Sequence, residues 1–147
     1  MSSCDTVQEK IVDEYGNIRS EENGYMIGAD VFNFVIREVP IDFNSLITFS
    51  GVSISAIDYF IFHQANSYIN GFLAKKLKLP AERIPTTIEK FGNTSSVSIP
   101  LTIVSELKEK LASPKRLLLS GFGVGLSWGT AIINLDDCFL ADIVEVG

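Results

Sequence analysis

Between Ala29 and Val39, apolar side chains recur at the three- and four-residue spacing of a helix. The pattern predicts a buried helix that begins near Asp30, a suitable N-cap, and that ends or kinks at Pro40. A second, short helix is predicted over residues 43–50. It stops at Gly51, because glycine readily takes the left-handed conformation that closes a helix.

Two further helices are predicted in the second half of the chain. An amphipathic one runs over residues 67–77 and is closed by Pro80, and another runs over residues 98–111. In the latter, four side chains at helical spacing are expected to face inward: Leu101, Val104, Leu107 and Leu111.

Short apolar runs rich in aromatic and branched side chains predict strands between these helices. The run at 57–63 suits a strand buried on both faces, and shorter runs lie at 85–88, 117–120 and 130–135. Residues 9–12 and the turn signals after them indicate a hairpin or an edge strand. Strands that alternate with helices predict an α/β layer structure.

The composition fits one domain with its own core. The 147 residues are 46% hydrophobic, and we divide them into a polar N-terminal segment, 1–24, and a domain at 25–147. Cys4 and Cys138 form no CxxC or Cys/His spacing, so neither a metal site nor a disulfide framework is indicated. No apolar run approaches the ~20 residues of a spanning helix, and no signal peptide is recognisable. We therefore expect a cytoplasmic protein without a membrane segment.

Charge is distributed unevenly along the chain. The net charge of −6 argues against binding to nucleic acid or to an anionic membrane. Residues 1–60 carry ten acidic and three basic side chains, whereas residues 75–90 carry five basic and two acidic ones. The basic stretch is either a dock for an acidic partner or an ordinary solvated surface.

Three polar features follow predicted strands, where α/β sheets form their sites. They are His63 with Asn66, Asn93 in a polar loop, and the glycine run 121–129. Each also has an ordinary structural interpretation. A histidine can end a core strand, and an asparagine can form a turn. The glycine run lacks G-x-G-x-x-G before a helix, so a tight hairpin or bulge is favoured there. Trp128 is expected to have a packing role.

Taken together, these motifs resemble a known family. His-Gln-Ala-Asn at 63–66, Gly-Asn-Thr-Ser at 92–95, Phe-Gly-x-Gly-x-Ser-Trp-Gly at 122–129 and Met-Ile-Gly-Ala-Asp-Val-Phe-Asn-Phe from Met26 are similar to segments of the β-ketoacyl-[acyl carrier protein] synthase III family. The likeness covers roughly residues 25–135 and implies the C-terminal half of a thiolase-like fold. That half is a layered α/β structure with a mixed five-stranded sheet flanked by helices.

The resemblance implies a decarboxylative Claisen condensation. Such enzymes hold an acyl group on a cysteine and decarboxylate a malonyl thioester, whose carbanion attacks the acyl group. His63 and Asn93 match the two donors that stabilise the enolate oxygen, a role that suits a neutral imidazole and an amide. The substrates are thioesters of coenzyme A or phosphopantetheine, and neither a cofactor nor a metal is implied.

Other family positions are also matched. Asn66 corresponds to a contact of the pantetheine arm, Phe122 to a residue at the acyl entrance, and the backbone of Gly123, Val124 and Gly125 to the second oxyanion site. Glycine is usual at position 124, and an arginine that contacts the carrier protein is usual where Tyr68 stands. Lys75 and Lys76 match positions on the helix that docks an acidic acyl carrier protein.

No counterpart of the family's nucleophilic cysteine is found, and Cys4 and Cys138 are expected to be inert. The resemblance therefore implies an N-terminal thiolase-like half that bears this cysteine and, for the complete enzyme, a homodimer. The chain could be an excised domain, one subunit of a split enzyme or a non-catalytic relative. Two other functions stay open: an acyltransferase of the same fold acting on an amine or hydroxyl, and a binding module with a vestigial site.

Overall fold

The computed structural model of the chain describes residues 11–12, 16, 18–19, 27–136 and 138–144. Its strands are β1 (Ile11–Val12), β2 (Ile18–Arg19), β3 (Tyr59–Phe62), β4 (Lys115–Gly123) and β5 (Ser127–Leu135). Its α-helices are α1 (Gly28–Ser50), α2 (Ser67–Lys76), α3 (Ile88–Phe91) and α4 (Ser98–Thr102). After α4 the chain continues through a π turn, Ile103–Leu107, and a 3₁₀ turn, Lys108–Leu111.

The main sheet is mixed, as expected, and has the order β3–β4–β5. β3 runs parallel to β4, with Tyr59 opposite Leu117, and β4 and β5 form an antiparallel hairpin. The α/β class is confirmed, but this sheet has three strands in the described part of the chain instead of five. β1 and β2 form a separate antiparallel pair, as predicted, and the rest of segment 1–24, including Cys4, lies outside the described residues apart from Gly16.

The strand predicted at 85–88 is wrong. Residues 84–87 are irregular and lead directly into α3. The backbone N–H of Thr87 and the hydroxyl of Thr86 both donate to Oε1 of Gln64, at 3.0 and 3.1 Å. For these two donors, the side chain of Gln64 takes the place that a neighbouring strand would have.

The predicted end of the helix at Pro40 is also wrong, because α1 continues through this residue to Ser50 and includes the second helix predicted over 43–50. Proline lacks the N–H that would bond to the carbonyl four residues earlier, which is that of Ile36. Lys76 at the end of α2 donates to this carbonyl at 2.5 Å. The helix closes at Gly51 as predicted, at φ 66°, whereas Asp30 lies in the first turn and does not cap it.

Helices cover the sheet on both faces. On one face, Phe60 and Phe62 of β3 belong to a core with α1 and α2; on the other, Ile61 packs with Leu107 and Leu117. This alternation confirms a strand buried on both faces. The residues of helix 98–111 that face the sheet are Ile99, Ile103, Leu107 and Leu111. The prediction was therefore right for Leu107 and Leu111 and wrong for Leu101 and Val104. A π turn is wider than an α turn, so residues spaced by four stay on one face.

Within the described residues, no helix is both long enough and apolar enough to cross a membrane. Cys138 is exposed and free, and its expected inertness stays a prediction. The division at residue 25 stays a prediction.

Candidate functional site

His63 follows β3 at the end of the parallel strand pair. Its N–H donates to the carbonyl of Ser120 at 2.8 Å, which extends the ladder by one residue and fixes the direction of the side chain. The half-buried ring lies edge to face with Phe122, with centroids 5.3 Å apart. On its other side, Nδ1 lies 2.7 Å from Oγ of Ser98.

Burial lowers the pKa of His63 below its usual value, because desolvation disfavours the charged imidazolium. A hydrogen bond with the backbone of Ser95 acts in the opposite direction and raises the pKa, but it is the smaller effect. The ring is therefore neutral near pH 7, with one nitrogen able to donate and the other able to accept.

Asn93 lies in the loop between α3 and α4, on the exposed surface. It follows Gly92, whose φ of 66° and ψ of −156° suit glycine. Its Oδ1 accepts the N–H of Ser95 at 2.9 Å, which leaves Nδ2 available to donate. Since the ring of His63 also contacts the backbone of Ser95, one residue connects the two predicted donors.

A buried hydrogen-bond network that the sequence pattern did not predict supports His63 from the protein interior. Ser98 Oγ, which contacts the imidazole, also accepts the N–H of Gln64 at 3.2 Å. Thr102 donates to the carbonyl of Ser98 at 2.8 Å and pairs with Thr87 at 2.9 Å. All four polar side chains are buried, and the only sequence signal was the position of Gln64 next to the histidine.

Asn66 is the N-cap of α2. Its Oδ1 accepts the N–H of Ile69 at 2.8 Å, and the residue is exposed. An asparagine cap typically stabilises a helix by about 1 kcal/mol relative to alanine. The predicted contact of Asn66 with the pantetheine arm stays a prediction, and its Nδ2 is the atom left to make it.

The glycine run forms the tight hairpin that was favoured over a dinucleotide motif. Gly123 ends β4, and Val124 is 97% exposed at the turn. A Cβ on Gly125, at φ 133°, would lie 2.5 Å from Oγ of Ser127, so the turn requires glycine there. Trp128 packs edge to face on Phe34 with centroids 5.1 Å apart, which confirms its packing role.

The basic stretch 75–90 is largely engaged within the protein. Lys76 bonds to the carbonyl of Ile36, and Lys90 pairs with Glu106 at 2.6 Å. Arg83 donates to the carbonyls of Ser55 and Ile57. Among the side chains described, Lys75 and Lys78 are the two bases of this stretch for which the structure gives no hydrogen bond or ion pair.

At the predicted site, His63 is half-buried and Asn93 is exposed. A groove of about 540 Å³ lies along α1 and is lined in part by Arg37 and by the docking candidate Lys76, but by neither His63 nor Asn93. Within the described ranges, no three His, Cys, Asp or Glu side chains cluster in a way that could hold a metal ion.

Comparison with known proteins identifies relatives of this chain. Residues 47–135 match the family model described as "3-Oxoacyl-[acyl-carrier-protein (ACP)] synthase III C terminal". The β-ketoacyl-[acyl-carrier-protein] synthase III of Streptococcus gordonii is 42% identical over 114 residues, which are 75% of this chain and 35% of that protein. The enzyme of the same name from Prochlorococcus marinus is 37% identical over 132 residues, 86% of this chain and 38% of that protein.

Solved structures give the same result. The crystal structure of a 3-oxoacyl-(acyl-carrier protein) synthase from Burkholderia xenovorans matches with a TM-score of 0.80 and 41% identity, covering 83% of this chain and 35% of that one. The synthase III from Thermus thermophilus matches with a TM-score of 0.74 and 31% identity, covering 85% and 39%. The chain thus spans about a third of the length of the curated relatives it matches.

Proposed function

This chain belongs to the 3-oxoacyl-[acyl-carrier-protein] synthase III family through the C-terminal part of that family, and on this premise we propose that it supplies the decarboxylation site of a condensing enzyme. In the proposed enzyme, His63 and Asn93 bind the thioester oxygen of a malonyl group. The acyl group is carried by a cysteine on a thiolase-like half that lies outside this chain.

The proposed reaction has two bond changes at the malonyl group. The bond to the carboxylate breaks, carbon dioxide leaves, and the electron pair forms an enolate whose negative charge lies on the thioester oxygen. The α-carbon then attacks the acyl-cysteine carbonyl, a carbon–carbon bond forms, and the cysteine leaves as a thiolate. His63 and Asn93 lower the barrier because their N–H groups point to the oxygen on which charge develops.

The observation that carries this proposal is that hydrogen bonds within the protein fix the orientation of the His63 and Asn93 side chains. One nitrogen of His63 contacts Ser98, and the oxygen of Asn93 receives the N–H of Ser95. Both side chains are thus held through the loop at residues 93–98, and we assign the contact with the substrate to Nε2 of His63 and to Nδ2 of Asn93. Such preorganised donors favour the transition state, since no reorientation is needed when charge forms.

The substrate contacts follow the same reasoning. We assign Asn66 to the pantetheine arm, Phe122 to the acyl entrance, and the backbone of Gly123, Val124 and Gly125 to the second oxyanion site. The thioester itself provides the activated group, so coenzyme A or phosphopantetheine is needed as a carrier and no separate cofactor is required.

The proposed protein partner is an acidic acyl carrier protein, with acyl-coenzyme A as the small-molecule alternative. Lys75 and Lys76 lie on the exposed last turn of α2, which begins at the Asn66 cap. Lys75 is the better candidate for the dock, because Lys76 already bonds to Ile36. We expect the complete enzyme to be a cytoplasmic homodimer.

The test compares this chain alone with the chain co-expressed with a cysteine-bearing N-terminal half. Release of carbon dioxide from malonyl carrier protein and formation of the 3-oxoacyl product are measured in parallel. We expect condensation only from the combination. A matched combination with that cysteine replaced by alanine should still decarboxylate but should form no product.

Two outcomes would contradict the proposal. A stable, folded combination that releases no carbon dioxide would favour a binding module with a vestigial site. Transfer of the acyl group to an added amine or hydroxyl, without use of the malonyl thioester, would favour an acyltransferase.

A further inference from the structure

We propose that Ser98 is a positioning residue that donates its hydroxyl proton to Nδ1 of His63 and so keeps the ring proton on Nε2. The inference rests on the proposed function, in which the outward nitrogen of His63 donates to the enolate oxygen. It adds a residue whose side chain need not touch the substrate. Oγ of Ser98 lies 2.7 Å from Nδ1, a distance typical of a well-formed hydrogen bond.

The direction of this hydrogen bond follows from the partners of the hydroxyl. A serine oxygen has one proton to donate and two lone pairs that can accept. The N–H of Gln64 donates into one lone pair at 3.2 Å and cannot accept in return. Nδ1 of His63 is thus the one acceptor that the described contacts of Oγ include.

The reverse arrangement would leave a buried donor without a partner. If Nδ1 carried the proton, it would occupy the second lone pair of Ser98, and the serine proton would have no acceptor. Ser98 is 1% exposed, so water does not take that place at the surface. Leaving a buried donor without a partner is costly enough to decide between two tautomers.

The network below Ser98 keeps its oxygen in place. Thr102 gives its single hydroxyl proton to the carbonyl of Ser98, so Thr87 must be the donor in the Thr87–Thr102 pair. Thr87 is itself bound through its N–H to the side chain of Gln64. Gln64 therefore contacts both ends of the network: its N–H donates to Ser98, and its side chain accepts the N–H of Thr87.

The opposite tautomer could be favoured by the backbone of Ser95, which also forms a hydrogen bond with the ring of His63. A carbonyl at Nδ1 would require the opposite tautomer. The two arrangements differ in which nitrogen is protonated, and this can be measured directly. His63 is the single histidine of the chain, so its imidazole gives isolated signals.

The test is an NMR titration of the full chain labelled with ¹⁵N at histidine. Long-range nitrogen–proton correlations identify the protonated nitrogen above the pKa of His63. We expect the Nε2–H tautomer to predominate. Predominance of Nδ1–H would overturn the proposal without any substitution, and therefore independently of whether a variant folds.

Substitution gives a second, signed prediction. A donor to Nδ1 stabilises the neutral ring, so Ser98→Ala should raise the pKa of His63 by about half a unit to one unit. An unchanged or lowered pKa in a folded variant would contradict the assignment. Ser98→Thr retains the hydroxyl and should restore the tautomer and pKa, and Ser96→Ala, in the same loop but exposed, is the matched control.

The result separates this inference from the proposed function. The complemented enzyme is the combination of this chain with the cysteine-bearing N-terminal half. In it, Ser98→Ala should reduce kcat for decarboxylation with little change in KM, and it should shift the acidic limb of the pH–rate profile to higher pH. If the NMR prediction holds but no decarboxylation occurs in any combination, the proposed function fails and the role of Ser98 in fixing the ring stands.

Discussion

Nζ of Lys76 lies 2.5 Å from the main-chain oxygen of Ile36, which is the carbonyl that Pro40 leaves without its helical donor. The contact joins the last turn of α2 to the middle of α1. Since Lys76 also lies 6.0 Å from the ring centroid of Phe72, its charge is held close to the protein surface. A residue that the sequence analysis assigned to partner docking therefore has a structural role as well.

We expect Lys76→Met to lower the free energy of unfolding by about 0.5–1.5 kcal/mol, because it removes the donor to Ile36. In a Pro40→Ala background, residue 40 regains an N–H that can bond to the same carbonyl, so Lys76→Met should cost less. Urea unfolding of the four proteins of this double-mutant cycle measures the coupling. Lys75→Met is the control and should change stability little. Strictly additive effects of the two substitutions would contradict this interpretation of the contact.

Lys75 should contribute to docking of the carrier protein. Lys75→Glu places a negative charge on the exposed end of α2 and should slow association with an acidic partner, most strongly at low salt. Turnover of malonyl-coenzyme A by the complemented enzyme should change little. Lys110→Glu makes the same charge change in helix 98–111, on the other face of the sheet, and serves as the control. Equal losses with both donors would indicate damage to the fold instead of the dock.

His63→Ala and Asn93→Ala should each reduce decarboxylation by the complemented enzyme by about 10²–10³-fold, because each removes one donor to the enolate oxygen. Carbon dioxide release from malonyl carrier protein measures this effect. Asn44→Ala, in α1, is the matched control and should retain the normal rate. Normal rates in either site variant would exclude that residue from the decarboxylation site.

His63 should also make stability depend on pH. Its pKa in the folded state is lowered, mainly by burial, from about 6.5 in the unfolded chain. Between these two pKa values the unfolded chain binds more protons, so stability rises with pH through this window. The contribution is fully present above about pH 6.5 and is lost as the pH falls through the folded pKa.

His63→Gln should remove this part of the pH dependence. Unfolding in urea at several values between pH 5 and 8 tests it, and the single histidine keeps other histidines from contributing. Glu106, whose pKa is lowered chiefly by its hydrogen bond with Lys90, acts only at more acidic pH. An unchanged slope in the variant would contradict the assignment.

Asn70 carries a buried oxygen, Oδ1, for which the described structure contains no hydrogen-bond partner. It lies on the inner face of α2 between Ile69 and Leu73. Because an unpaired buried acceptor costs about 1–3 kcal/mol, Asn70→Leu should raise the free energy of unfolding. Asn66→Leu in the same helix should lower it, since it removes the cap. Thermal unfolding of both variants gives the comparison, and a destabilised Asn70→Leu would mean that the amide is satisfied after all.

The sequence predicted the strands and helices that carry a periodic pattern. β3, α2 and the β4–β5 hairpin lie where apolar runs, caps and glycines indicated them. The errors occur where a distant side chain decides the local structure. Lys76 allows a helix to continue through Pro40, and Gln64 replaces a strand neighbour at Thr87.

The candidate site was predictable only in part for the same reason. His63 and Asn93 could be named because both stand in short motifs of unusual composition. Ser98 and Thr102 could not, because a buried serine or threonine in a helix leaves no periodic signal. Their importance depends on which groups they meet in three dimensions.

The parallel pairing of β3 with β4 has a consequence for the order in which the site forms during synthesis. Tyr59 pairs with Leu117, and the N–H of His63 bonds to Ser120. A growing chain that already contains His63 and Asn93 therefore still lacks β4, the strand that orients His63. Because contacts between such distant segments form late, a nascent chain that stops before β4 would contain the motifs without the site.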